Sequence, residues 1–350
     1  MAEFAFEPEP GISRAPGETK EEIAGRSPWA LAGRRLLRNK IAIAALVLFV
    51  LIIAVSFAAP LYASHVAHTH PFLSNLSGTT VIGGKRIEVI QQGGGKLGLG
   101  EIPIGPTWHS NFFLGADRQG RDVMARVLYG GRASLEVGIG SALICCALAT
   151  IFGLVAGFFG GWLDTVVARL MDLIWAFPVY LLAISLATVL LTQGLKIWKL
   201  NVNPASLWLP TVIIALVYIP YVFRPVRGQV LSVRQKEYIE AAIAQGASNW
   251  RLIFSEILPN VIATVIVLLP LIIATTILTE AALSYLGIGV QEPKASWGSV
   301  INDGQDLLYT RPWVAIAPGI MIVLTVLALN VLGDGVRDAL DPRAKVRLGG

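Results

Sequence analysis

The chain has 350 residues, 54% hydrophobic and only 15% charged, with a formal net charge of +5. An ordinary soluble domain is about 25% charged. The deficit excludes a disordered chain, a disulfide scaffold and an average soluble enzyme, and with a mean hydropathy of +0.64 it leaves a polytopic membrane protein.

In chain order, residues 1–26 are acidic and rich in Gly and Pro, the composition of a mobile tail. Ser27-Pro28 then opens a helix, a capping hydroxyl followed by proline at the first helical position. Over residues 27–40, Trp29, Leu31, Leu36 and Leu37 alternate with Arg34, Arg35, Arg38 and Lys40, which predicts an amphipathic helix lying on the membrane surface. Six runs free of Asp, Glu, Lys, Arg and His follow, at 41–59, 137–159, 173–192, 206–223, 261–279 and 313–333. Each approaches the roughly 20 apolar residues needed to cross a bilayer as a helix, whereas barrel strands would be about half as long and would alternate. The expected fold is an all-α polytopic membrane protein with six transmembrane helices. The first run begins forty residues in and exceeds a signal-peptide core of about 7–15 residues, so it reads as a retained span.

The segment 60–136 is too long for a connector. Residues 80–89 read as a β-hairpin around Gly83-Gly84. His65, His68 and His70 stand close enough to be weak metal-ligand candidates, but a short His-rich tract is only a compositional signal and a solvated linker is the plainer reading. Cys145 and Cys146, adjacent inside the second run, read as two small packing residues. Gly95-Lys96 is not a phosphate loop, because the spacing G-x-x-x-x-G-K-[ST] occurs nowhere in the chain.

The loop 224–260 carries the most information. Residues 237–245 favour a helix, Gly246 stops it, and Ser248 can cap a second helix that Pro259 is expected to break before the fifth span. This is a helix–turn–helix with small residues at its tip, read either as a docking element or as a plain amphipathic connector. Seventeen of the 28 Lys and Arg fall on the side of the two termini and of this loop, while the two short opposite loops carry four. The positive-inside rule therefore places both termini and this loop in the cytoplasm. The net charge follows from topology and lipid contact and implies no nucleic-acid partner.

The six runs contain no ionisable side chain, which argues against proton- or ion-coupled carriers. No filter-like repeat and no enzyme-like set of His, Cys, Asp and Glu appears within them. Pro178, Pro210, Pro220, Pro270 and Pro318 interrupt the spans as kinks or hinges. A transporter driven by a separate motor subunit fits these features. The competing readings are a membrane metalloenzyme or sensor using the three histidines, and an autonomous ion-coupled secondary transporter.

Ordered motifs then narrow the choice. Glu240-Ala241-Ala242, Gly246 and Ile257-Leu258-Pro259 are similar to the EAA loop of permease subunits of bacterial ATP-binding-cassette importers. Gly120-Arg121-Asp122-Val123, Tyr129-Gly130, Ser134-Leu135, the stretch 283–289, Ser296-Trp297-Gly298 and the stretch 332–343 together resemble the C-type permease of dipeptide, oligopeptide and nickel importers. The likeness spans most of residues 27–343, and the chain adds sequence at about 72–106. The resemblance implies the type I importer permease fold, with a small extracytoplasmic insertion in 60–136, a transmembrane core over 137–333 and a cytoplasmic tail at 334–350. It implies a bacterial inner-membrane location, a B-type permease partner, two ABC ATPase subunits that bind ATP and Mg, and an extracytoplasmic solute-binding protein that delivers peptide. A nickel or metal chelate is the alternative cargo. Glu240, Ala241, Ala242 and Gly246, with Ala247 and Ser248 beside them, would dock one ATPase, and the chain itself would hold no cofactor and perform no bond chemistry.

Overall fold

The structure is a computed structural model that describes residues 28–82, 84–92, 100–109, 111–193, 195–197, 200–203 and 205–341. The expected tail 1–26, Ser27 and residues 342–350 lie outside these. Helix α1 (Pro28–Arg38) is followed at once by α2 (Lys40–Phe57), which starts at Asn39 because that side chain accepts the Ala42 N–H at 3.1 Å. The Arg35 guanidinium donates to the Asp341 carbonyl oxygen at 3.1 Å, tying α1 to the far end of the chain. A short helix α3 (Ala59–Leu61) and a π-helical turn (Tyr62–Ala67) prolong α2 until His68, at φ 50°, ends it.

Strands β1 (Thr79–Ile82) and β2 (Lys85–Glu88) form the expected hairpin, with Thr79 opposite Glu88 and Ile82 opposite Lys85. Gly84 takes φ +80°, a conformation that favours glycine. A second pair, β3 (Ile90–Gln92) with β4 (Glu101–Pro103), closes over a small core of Val89, Ile104, Phe112 and Ala116.

The next helix corrects the expected start of the second span. α4 runs from Val123 to Phe159, fourteen residues earlier than the apolar run, and at 37 residues is about 55 Å long. Arg126, Arg132 and Glu136 cut the run short, yet each has a place on the helix. Arg126 is buried among acids, and Arg132 pairs with Glu136 at 2.9 Å and lies over the Phe57 ring. The third expected span also differs. α5 (Gly161–Trp175) and α6 (Val179–Gln193) are two helices bent by 89° at a break containing Pro178. Proline cannot continue the hydrogen-bond ladder across such a junction. The two Arg–Asp links from α5 to the next long helix, Arg227 to Asp164 and Arg224 to Asp172 at 3.0 Å, hold it in place. Strands β5 (Leu195–Ile197) and β6 (Leu200–Val202) form a further hairpin.

Helix α7 (Trp208–Arg234) packs along α4 where Gly153 and Gly157 remove side chains. A Cβ on Gly153 would stand 2.4 Å from Val226, and one on Gly157 would stand 2.7 Å from Val230. Small residues four apart bring the two backbones close, as membrane helix pairs require when no hydrophobic effect drives them together. The core continues through α8 (Glu237–Ala244), α9 (Asn249–Arg251), a π-helical turn (Leu252–Ile257), α10 (Leu258–Tyr285), α11 (Trp297–Gly304) and α12 (Trp313–Leu340). Among the described residues, five helices are long and apolar enough to cross a membrane, and six spans result if the bent pair counts as one.

Candidate docking loop and the knot above it

Helix α8 ends by a device its sequence encodes. The Gly246 N–H donates to the Ile243 carbonyl at 2.9 Å and the Ala247 N–H to the Ala242 carbonyl at 3.0 Å, with Gly246 at φ +80°. This is the paired C-terminal closure that places glycine just past a helix. Ser248 then accepts the Arg251 N–H at 3.4 Å and starts α9. Ile239 on α8 is fully buried with Val233, Leu252 and Ile257, and it anchors the loop to the bundle. Of the expected docking residues, Glu240, Ala241, Gly246 and Ser248 are exposed, while Ala242 and Ala247 are half-buried against the core.

Pro259 does not break the second helix. It occupies the first turn of α10, and the helical path runs unbroken from Asn249 to Tyr285. The π-helical turn before it shifts the hydrogen-bond register, so the missing N–H is absorbed. The structure also adds side chains that composition did not single out. Ile243 is 54% exposed, and Trp250 and Phe254, 71% and 55% exposed, stack with ring planes 14° apart. They form an apolar patch beside the turn, the kind of surface that marks an interaction site. The signal available in the sequence was a pair of aromatics four apart on a short helix.

At the opposite end of the bundle, the remaining motifs converge. Asp122 caps α4 by accepting from the Ala125 N–H, and it also takes the Phe112 N–H and the Thr69 hydroxyl. Arg121 donates to Asp117 at 2.7 Å, Glu292 at 3.2 Å and Asp303 at 3.0 Å, and Asp303 also receives Arg126. Burial alone would lower the affinity of the Arg121 guanidinium for its proton, but Asp117, Asp303 and Glu292 hold it above the ordinary arginine value. Burial raises the Asp303 carboxyl against the pull of Arg126 and Arg121.

Glu280 is a carboxyl just beyond the run that an apolar search defines. It follows the last residue of the fifth apolar run, lies within α10 and is completely buried. Ser134 and Ser284 each donate to its carboxylate at 2.6 Å. Those hydroxyls accept in turn from the Trp297 N–H at 3.1 Å and the Val290 N–H at 2.9 Å, so each serine proton is directed at Glu280. Trp297 Nε1 donates to the Val127 carbonyl at 3.0 Å. Gly130 and Gly298 remove side chains where Ser296 and Ala281 press closest. Residues read separately as motifs therefore build one knot joining α4, α10 and α11.

The histidines do not assemble. The His65 ring faces the Ser64 hydroxyl at 2.7 Å, His68 ends the π-helical turn, and the His70 Nδ1 accepts the Phe72 N–H at 3.4 Å. Among the described residues no three His, Cys, Asp or Glu side chains come together to hold a metal. Cys145 and Cys146 are free thiols buried in the core.

The chain is thus a multi-pass helical membrane protein with an exposed, glycine-closed loop at one end and a charged knot at the other, and the families it matches are those of transporter subunits. Residues 149–346 match the family described as the binding-protein-dependent transport system inner membrane component, and residues 27–76 match the N-terminal TM domain of oligopeptide transport permease C. The chain is 36% identical to the dipeptide transport system permease protein of Alkalihalophilus pseudofirmus, with 93% of each chain aligned. It is 34% identical to the oligopeptide transport system permease protein of Bacillus subtilis, over 96% of this chain and 97% of that one. A solved chain of the MetNI methionine ABC transporter in inward facing conformations aligns with 62% of this chain and 97% of its own, at 16% identity and a TM-score of 0.49. The chain belongs to the family of binding-protein-dependent transport system inner-membrane components, in its C-type permease branch.

Proposed function

We propose that this chain is the C-type permease of a peptide importer. It pairs with a B-type permease to enclose a passage, and two ABC ATPase subunits, which bind ATP and Mg, drive the passage between inward- and outward-open states. The loop of Glu240, Ala241, Ala242, Gly246, Ala247 and Ser248 is the part an ATPase grips. The exposed closure at Gly246, pinned from beneath by Ile239, carries this reading. Both termini and this loop face the cytoplasm, as the Lys and Arg distribution supports. An extracytoplasmic binding protein delivers the cargo at the end bearing the Arg121–Asp303 knot. The cargo is a short peptide, the class named for the relatives. The chain contributes no bond chemistry.

The test is uptake of labelled dipeptides and tripeptides into proteoliposomes carrying both permeases, both ATPases and the binding protein. Uptake requires ATP inside, and the purified chain given only an ion gradient accumulates nothing. Accumulation by the chain alone would overturn the proposal, and competition by a nickel chelate but not by peptides would reassign the cargo.

A further inference from the structure

Beside the docking loop, a cleft of about 970 Å³ opens between α7, α10 and α12. Its walls are not those of a lipid contact. Gln229 on α7, Asn260 on α10 and Asn330 on α12 bring a carboxamide from each helix. Asp334 and Arg337 line the part formed by the last turns of α12, while Val267, Leu268 and Leu271 line the part formed by the middle of α10. The cleft is thus apolar toward the middle of the spans and, at the end nearest the docking loop, amide-rich and charged, with Asp334, Arg337 and Asp341. Gly333 faces Pro270 there, where an added Cβ would be 3.5 Å away. Two further observations bear on its use. Asn260 donates to the Tyr238 hydroxyl at 3.4 Å, and Tyr238 sits on α8, so the cleft wall is hydrogen-bonded to the docking helix. The volume lies at the top of the roughly 300–1,000 Å³ range of small-molecule sites, far more than an ion needs.

We infer that this cleft is the chain's half of the peptide passage and that it holds cargo by the main chain. The inference rests on the peptide-import reading and adds to it the surface that meets the cargo. A carboxamide offers one acceptor and two donors, the complement of a peptide group. Gln229 and Asn330 offer both functions, while Asn260, whose amide N–H groups go to the Glu256 carbonyl at 2.7 Å and the Tyr238 hydroxyl, offers its acceptor; together they satisfy backbone amides whatever side chains the peptide carries, and the apolar part accepts those side chains without selecting among them. Asp334 and Arg337 suit the two charged ends of a free peptide. A lipid tail offers these polar groups no hydrogen-bond partner.

The experiment uses the full complex in proteoliposomes with two probes, an alanine tripeptide and a phenylalanine-containing tripeptide. A charged, membrane-impermeant thiol reagent is added on the ATPase side to T264C in the cleft and to V50C on the exposed face of α2. The native Cys145 and Cys146, 0% and 5% exposed, give little background. T264C is expected to label several-fold faster than V50C, and saturating tripeptide is expected to slow it. Q229L and N330L are expected to lower uptake of both tripeptides by the same factor, roughly fivefold for each lost hydrogen bond, while ATP hydrolysis persists. Labelling of T264C no faster than V50C, labelling indifferent to peptide, or loss of uptake for only one tripeptide would overturn the inference and leave peptide import standing. An unaltered complex that takes up neither tripeptide would instead overturn the import reading, and the inference with it.

Discussion

Gly246→Asp separates docking from folding. Gly246 takes φ +80°, and no heavy atom lies within 4 Å of where its Cβ would be, so a side chain there meets only solvent in the isolated chain. The folding cost is therefore conformational, about 1–2 kcal/mol for an ordinary residue and less for Asp or Asn, which visit this region more readily. The closing bonds of the turn come from backbone N–H groups, which either residue keeps. In the proposed complex, with an ATPase seated on the loop, the position changes character. An uncompensated carboxylate pressed into a protein contact costs about 2–5 kcal/mol, and 2 kcal/mol is already about 30-fold in affinity. The expected result is a melting temperature for G246D within a few degrees of G246N, ATP hydrolysis that persists, and peptide uptake reduced at least about 30-fold in G246D alone. The assay is uptake and ATP hydrolysis in the same proteoliposomes, with thermal unfolding of each purified variant. If G246N loses uptake as completely as G246D, the turn itself matters and docking does not explain the effect; unchanged uptake in G246D would refute the assignment outright.

Ile239→Ala empties a fully buried site beneath α8, at a cost of about 2–5 kcal/mol; the loop should become protease-sensitive while the transmembrane helices stay protected, as limited proteolysis would report. Asp303→Asn removes a shared partner of Arg121 and Arg126. Asp303 keeps 27% side-chain exposure, so the loss should be about 1–3 kcal/mol, below that of a fully buried pair, and read as a lower melting temperature with ATP hydrolysis retained. Gly298→Ala would put a Cβ 2.1 Å from the Ala281 carbonyl oxygen, forcing α11 off α10; thermal unfolding should show a larger loss than for Gly319→Ala, where nothing lies within 4 Å. Replacing His65, His68 and His70 together by Ala should leave peptide uptake intact, and a metal-dependent loss would revive the metal reading.

The spans were legible because an apolar run of bilayer length has few other uses, and the Gly246 turn because glycine is what a helix closure of this kind requires. Three features escaped for identifiable reasons. α4 begins early because Arg126 and Glu136 find ionic partners, so charge interrupts hydropathy without interrupting the helix. The break at Pro178 was legible as a kink but not as the junction of two helices, because α5 carries Asp164, Arg169 and Asp172, polar residues that an apolar search discards. Pro259 looked like a stop because no local pattern announces the π-helical turn that accommodates it. The knot at the other end of the bundle could not be seen at all as a contact, since Ser134 reaches Glu280 across 146 residues and the Trp297 N–H reaches Ser134 across 163. Its residues carried a family resemblance without disclosing that they touch.

The six residues Leu252–Ile257 have a mechanical consequence. A π-helical turn holds one residue more than its α-helical counterpart, so it stores a phase difference between the segments on either side. Relaxing it to an α-helix would swing the docking elbow by about 100° around the axis of the helix that follows, one residue's worth of winding. A stroke delivered to this loop by the proposed ATPase need not then push the column lengthwise. It can screw it, and a spin-label distance from Glu240 to the body of α10, taken with and without nucleotide, distinguishes rotation from thrust.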